Sequence, residues 1–467
     1  MPEVQDELER GGVRFRTLSA SPLTVAPWLD VHNLHRLVRV LGRLRAHDPD
    51  DPAWRPRVSL RALSRRLHTR EGELTLQVLH GLPATSAVTT PLEDPRSVAA
   101  CTGAFGHGSR LVAREVVVAD PGFRHRVLRC QVQGAHTKDA PRRVVVKAAN
   151  EGACATEAAS LAFLGSLPAA RGVVPHLWGA DPAKAVLLLE DLGDLRESDL
   201  AMVLLGWDGA RARRALVSLA EALGRVHGAC VGRDLTWEAL LGRGERKSFL
   251  CDELSGGLMD APRWLRSAGV TAAVDTEVRT LSEALGEQGP WRTWTRGDAG
   301  TTNAALVQNR LRFFDLETGG FRHVMVDAAF LVAHHGALYA GSLPAGVVSA
   351  MEEAWRTAVA PDMPAAADTE QFERARAVGS LAWCAGLASR LLTACGPGQR
   401  RGGRLNRVRL LSLLGATLGV PGVGRSHPRL TKAFEDLHRR LRSRWTGVPE
   451  RLPLHPAFEE GAWHTRR

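Results

Sequence analysis

Two acids and an amide stand close together in WTRGDAGTTNAALVQNRLRFFDLE, residues 294–317. Asp298 lies five residues ahead of Asn303, and a short apolar run then delivers Asp315. Phosphoryl transfer needs such a set: a carboxylate to take the proton of an acceptor hydroxyl, and oxygen donors for a magnesium ion bridging the phosphates. Asp298 suits the base, and Asn303 and Asp315 suit the metal. Taken alone, an Asp-x4-Asn pair followed by an acid also fits ordinary capping and turn chemistry.

Residues further upstream strengthen the phosphate reading. Lys147 ends the β-like run VVVK, where a strand can aim an ammonium at phosphates. Ten residues on, Glu157 opens EAASLAFL, with Leu161 and Leu164 at core spacing on a helix. A helical glutamate facing a strand lysine is the ion pair that fixes a phosphate-binding lysine. The plainer alternative for Lys147 is a solubility lysine on an edge strand. The chain has only five lysines (Lys138, Lys147, Lys184, Lys247 and Lys432) against 56 arginines, so this one stands out.

These residues need elements to hold them. REVVVAD (114–120), RVLRCQVQG (126–134) and RRVVVKAA (142–149) are valine-rich segments divided by turn residues, which predicts three antiparallel strands. The stretch 155–167 reads as a helix, and AVLLLEDLGD (185–194) as a buried strand ending in a turn. Beyond about 196 the pattern is mostly helical: Leu216, Leu219, Leu223 and Val226 form one apolar stripe. The exception is the loop-and-strand block 294–330. Strands, a helix, another strand, then a large helical part predict an α+β chain with two lobes.

Composition narrows the class. The 467 residues carry 61 Lys+Arg against 50 Asp+Glu, a net charge of +11, and 44% are hydrophobic. That is globular rather than disordered, and at roughly 150 residues per domain it predicts two or three domains. Positive charge commonly marks a nucleic-acid or anionic-membrane partner. An excess built almost wholly from arginine fits a compositional bias instead, and is at most a modest hint of an anionic or peptide acceptor. Glu3, Asp6, Glu7 and Glu9 stand where a secretory leader would be basic, and Gly336, Gly341, Pro344 and Gly346 interrupt the uncharged stretch 335–351, so no membrane partner is expected. Seven cysteines are scattered with no C-x-x-C pair, which predicts reduced thiols, a cytoplasmic location and no zinc.

The order Lys147, Glu157, LLLEDLG (187–193), Asp298-x4-Asn303, Asp315-Leu-Glu317 and Asp327 resembles the aminoglycoside phosphotransferase and choline-kinase-like family over about 105–445. The resemblance implies a two-lobe protein-kinase-like fold, with a small antiparallel-sheet N-lobe (101–195) and a large helical C-lobe (196–467). It implies ATP and Mg2+ as cofactors. Lys147 would bind the α/β-phosphates and Glu157 would orient it; the backbone at Glu190, Asp191 and Leu192 would form the adenine hinge. Asp298 would be the base, with Asn303 and Asp315 holding magnesium and Glu317 assisting. Asp327 is expected to be structural, as a helix N-cap, and His227 a satisfied core histidine. Two positions depart from the pattern. Arg296 stands where the family has His, and the phosphate-covering turn ADPGFRHR (119–126) holds one glycine, Gly122.

Residues 1–100 read as a separate, mostly helical region, with Leu34, Leu37, Val38, Leu41 and Leu44 at helical spacing. Residues 59–79 have a helix-turn-helix outline, but Glu71 and Glu73 open its second helix, so nucleic acid is not the expected partner. A packing cap, or a docking piece for a leader peptide or partner protein, fits better. The expected activity is transfer of the γ-phosphate of ATP to a hydroxyl of a small molecule or of a peptide Ser/Thr. The alternative is a nucleotide-binding pseudokinase or peptide-binding adaptor without turnover. Acids at 352–373 (Glu352, Glu353, Asp362, Asp368, Glu370 and Glu373) could meet a cationic acceptor or simply form a solvated helix face.

Overall fold

The computed structural model describes residues 15–17, 25–27, 87–91, 95–119, 126–135, 139–148, 151–181, 183, 185–193, 195, 198–205, 208–242, 256–286, 289–333, 341–395 and 403–458. The expectations for 34–44, for 59–79 and for the turn that carries Gly122 lie outside these residues, as does Cys251.

Two short strands, β1 (Phe15–Thr17) and β2 (Val25–Pro27), pair antiparallel. The main sheet then begins with β3 (Ala87–Pro91), followed by helix α1 (Pro95–Phe105) and strands β4 (Arg110–Ala119), β5 (Arg126–Gln133) and β6 (Arg143–Ala148). Helix α2 (Glu151–Ser166) leads to β7 (Leu177–Asp181) and β8 (Val186–Glu190), and the six strands lie in the order β3-β4-β5-β6-β8-β7, all antiparallel. Strand β3 and helix α1 thus bring residues from before 101 into the sheet layer.

The two-residue period of β6 sorts its side chains onto opposite faces. Val144 and Val146 pack with Cys101, Phe105, Leu128 and Leu188 under α1. Val145 and Lys147 take the other face, with Leu187 and Leu189 of β8, toward α2 and the helical part. Helix α2 buries residues all round, Cys154, Ala158, Leu161 and Leu164 among them, as a helix wedged between two layers must.

Beyond the sheet the chain is helical: α3 (Leu200–Leu205), α4 (Gly209–Ala229), α5 (Asp234–Leu241), α6 (Ala261–Ser267) and α7 (Asp275–Gly286). Two nested hairpins follow. Strand β9 (Arg292–Thr295) pairs with β12 (Gly320–His323), and between them β10 (Ala304–Val307) pairs with β11 (Arg310–Phe313). Gln308 and Asn309 at the β10–β11 turn both have positive φ, 51° and 61°, the twist a two-residue hairpin turn requires.

Helices α8 (Met325–Ala333), α9 (Ala345–Val359), α10 (Thr369–Ala394), α11 (Gly403–Leu418), α12 (Val423–Ser426) and α13 (Pro428–Arg444) complete the fold. Helix α10 is long and apolar enough to cross a membrane, yet Leu381, Trp383, Ala385 and Leu387 are buried in the core, where it packs on α8 and α11. The architecture is α+β, as expected. The cysteines among the described residues (Cys101, Cys130, Cys154, Cys230, Cys384 and Cys395) form no disulfide.

Candidate active site

Lys147 is the next-to-last residue of β6, and Glu157 comes from the second turn of α2. Their side chains meet with Nζ 2.6 Å from Oε2, at 8% and 2% exposure. The same ammonium donates to Asp315 Oδ1 and lies 3.7 Å from Glu317 Oε2. Strand β6, the helix that follows it and a segment 168 residues beyond Lys147 therefore converge on one nitrogen. Burial alone would lower the ammonium's pKa, but the Asp315, Glu157 and Glu317 carboxylates outweigh it and push the value well above the usual lysine range. The lysine is a fixed cation.

The carboxylates differ in access. Glu157 is closed off at 2%, whereas the Asp315 and Glu317 side chains are 38% and 23% exposed. One oxygen from each of the three lies within 4.8 Å of the others. Hard carboxylate oxygens at this spacing suit a magnesium-like cation, and the two exposed ones are those a cation could reach.

Hairpin nesting puts the acids side by side. The β9–β10 connection carries Asp298 and Asn303; the β11–β12 connection carries Asp315 and Glu317. Phe314 N–H donates to the Asn303 carbonyl at 3.1 Å, tying one connection to the other. Within the first, Asn303 Nδ2 donates to Asp298 Oδ2 at 3.0 Å, and Gly300 N–H donates to Asp298 Oδ1 at 3.3 Å. Burial pushes the Asp298 carboxyl above the ordinary aspartate value, helped by Asp315; Arg296, Gly300 and Asn303 pull the other way without cancelling it. A carboxylate held upward in this way is a better proton acceptor.

The loop has a rigid backing. Asp327 is not a helix N-cap: α8 starts at Met325, and the carboxylate instead accepts the backbone N–H of Arg296 at 2.6 Å and of Gly297 at 2.9 Å. His227 completes it. The indole Nε1 of Trp355 donates to His227 Nδ1 at 3.0 Å, so the imidazole proton sits on Nε2, which lies 3.2 Å from Asp327 Oδ2. His227 is thus a satisfied core histidine, as expected. Burial would raise the Asp327 carboxyl, but the hydrogen bonds from His227 and the Arg296 amide hold it below the ordinary value. Gly297 is obligatory here. Its φ is +75°, and a Cβ would meet Arg322 Nη1 at 2.6 Å and the Thr318 carbonyl at 2.7 Å.

At the β8 end, the Glu190 side chain accepts from Arg312 and from His176 N–H, the latter at 3.0 Å. Asp191 accepts from Arg129 at 2.9 Å and from Gly193 N–H at 2.9 Å. Both carboxylates are engaged in ion pairs, and Leu192 follows them just beyond the end of β8. The acids at 352–373 are largely committed: Glu352 pairs with Arg376, Glu370 with Arg374 and Glu373 with Arg425, while Asp368 caps α10 by accepting Gln371 N–H at 2.9 Å.

Several residues escape sequence reasoning. Arg312 ties β11 to Glu190 and to the Val174 carbonyl (3.1 Å), and Thr318 Oγ1 donates to the Arg296 carbonyl at 2.5 Å. Neither stands out in a run of common residues. Asp327 does carry a signal: a lone acid in VMVDAAFLV must be buried, and a buried acid needs partners.

The site is therefore a buried Lys–Glu pair facing a loop of oxygen donors. No known family profile matches the sequence, and no curated protein matches it. Among solved structures, the chain is similar to a choline kinase from Cryptosporidium parvum (10% identity, TM-score 0.43, covering 69% of this chain and 93% of that one). It is also similar to an amicoumacin kinase solved with AMP-PNP and Ca2+ (9% identity, TM-score 0.43, 76% and 94% covered). An ethanolamine kinase from Plasmodium vivax shares 11% identity at a TM-score of 0.38, with 90% and 99% covered. At such identities and TM-scores the likeness adds nothing to the site's own geometry.

Proposed function

We propose that the chain is an ATP- and magnesium-dependent phosphotransferase acting on a hydroxyl of a small molecule or of a peptide Ser/Thr. The observation that carries this is the convergence of β6, α2 and the β11–β12 connection on Lys147, with Glu157 buried beside it and Asp315 exposed in front.

Asp315, Glu317 and Asn303 would supply the oxygen donors for magnesium, whose charge would neutralise the phosphates. Lys147 is the fixed cation for the α/β-phosphates, and Glu157 keeps its ammonium aimed forward. Glu190 N–H already donates to the His176 carbonyl at 2.9 Å, so adenine contacts fall to the Glu190 carbonyl and to the backbone of Asp191 and Leu192. Asp298 takes the acceptor's hydroxyl proton as its oxygen attacks the γ-phosphorus; the bond to the β-phosphate oxygen breaks and ADP leaves. Positioning and charge do most of the work in such a reaction.

Three of the acids at 352–373, Glu352, Glu370 and Glu373, have arginine partners, which favours an acceptor other than a polycation. Cysteines without a disulfide among the described residues fit the reducing interior of a cell. A leader peptide or partner protein docking through residues 1–100 remains part of the proposal. The test is incubation with ATP, magnesium and a panel of alcohols, aminoalcohols and Ser/Thr peptides, followed by mass spectrometry for one added phosphoryl group. ATP binding with no transfer to any acceptor would instead favour the binding-module alternative.

A further inference from the structure

We propose that Arg296 is a positioning residue that holds the two proposed metal-ligand segments in register, an inference that rests on the phosphotransferase reading. Its guanidinium is buried at 1% exposure, and Nη2 donates to the Asn303 carbonyl at 2.9 Å and to the Phe314 carbonyl at 3.3 Å. Those carbonyls belong to a ligand, Asn303, and to the residue preceding a ligand, Asp315. The guanidinium carbon also lies over Phe313, 4.5 Å from the ring centroid. Its own backbone is fixed at both ends, N–H to Asp327 and carbonyl from Thr318.

Asp315 needs such a holder. Its φ is +61°, a left-handed conformation that is strained for a non-glycine residue. The peptide groups on either side of it are each gripped: the Phe314 carbonyl by Arg296, and Leu316 N–H by Glu157 Oε1 at 3.4 Å. Arg296 and Glu157 thus close on Asp315 from opposite sides. A planar guanidinium can turn the two N–H groups of one nitrogen to two carbonyls while its plane covers a ring; a lysine ammonium offers a compact point charge without that plane.

Arg296→Lys keeps the charge and loses the plane over Phe313 that fixes Nη2 between the two carbonyls. The readouts are Mn2+ affinity of the protein loaded with a non-hydrolysable ATP analogue, affinity for that analogue without metal, and melting temperature. Groups that orient metal ligands from behind commonly change metal affinity by about 10–100-fold, and a loss of that order is expected, with metal-free nucleotide affinity unchanged. Phe313→Leu removes the ring and spares the donors, and is expected to move Mn2+ affinity the same way by a smaller factor. It stands in should Arg296→Lys fail to fold. Trp264→Phe, a core change where α6 stacks on Phe434 of α13, reports what lost stability alone does. Equal Mn2+ affinity in folded wild type and both variants overturns the inference and leaves the phosphotransferase reading intact. So does a loss that matches Trp264→Phe in every readout. A wild-type protein that binds neither the analogue nor Mn2+ overturns the reading itself.

Discussion

Lys147 and Glu157 form an ion pair of 2.6 Å whose two members are almost wholly removed from water. Removing one partner of such a pair leaves a charge without compensation, at about 3–5 kcal/mol. The two truncations are not equivalent. Lys147→Ala strands Glu157 in the interior, so the variant is expected to lose stability of that order at neutral pH, along with ATP affinity. Glu157→Ala leaves Lys147 with Asp315 and Glu317, so stability falls less while the ammonium loses its aim. Urea denaturation and ATP titration of both variants separate the effects. Equal, small losses in both would mean that the pair is not what holds the lysine.

Asp327 joins α8 to the loop through two backbone amides and His227. Asp327→Asn replaces one acceptor oxygen with a donor facing donors, so a cost of about 2–4 kcal/mol is expected. Because the folded carboxyl is held low, its contribution is complete above the ordinary aspartate value and fades as pH falls through the folded one. The variant should therefore show its full deficit at pH 7 and a shrinking one in strong acid. A deficit that is constant with pH would contradict the charge argument.

His323 gives the chain a second acid response. Burial lowers its pKa from 6.5 to about 4, with Met325 N–H donating to Nδ1 at 3.3 Å and Arg292 opposite it in the β9–β12 register. A depressed folded value means the unfolded chain binds the proton first. Stability is then complete above pH 6.5 and falls as pH drops toward about 4. The window is worth on the order of 3 kcal/mol. His323→Gln should flatten the stability profile between those limits; an unchanged profile would assign the response elsewhere.

The legible parts of the fold were those written in short windows. The VVVK run gives β6, and the two faces of that strand separate Val146 from Lys147 without outside help. Glu157 and Leu161 share a stripe of α2 at helical spacing, and Asp298, Asn303 and Asp315 sit in one contiguous block. Strand β7 was hidden. Its residues, LWGAD, have no alternation, and it exists because β8 pairs with it and Gly179 admits Ala104 of α1, whose Cβ would be 3.1 Å from an added one. Strand β3 likewise depends on β4. Asp327 acts on backbone groups some thirty residues earlier, a relation no local pattern carries. Arg296 looked like a departure in the motif; the carbonyls and ring it touches are brought to it only by hairpin nesting.

The most direct test compares γ-phosphate transfer by wild type and Asp298→Asn at saturating ATP and magnesium, with ATP affinity measured alongside. Asn keeps the shape of the side chain and cannot take a proton. The expected result is transfer to a hydroxyl acceptor by wild type, a loss on the order of 10²–10⁴ in the variant, and ATP affinity little changed. Equal transfer by the two proteins, or none by wild type to any hydroxyl, would contradict Asp298 as the base of a phosphotransferase.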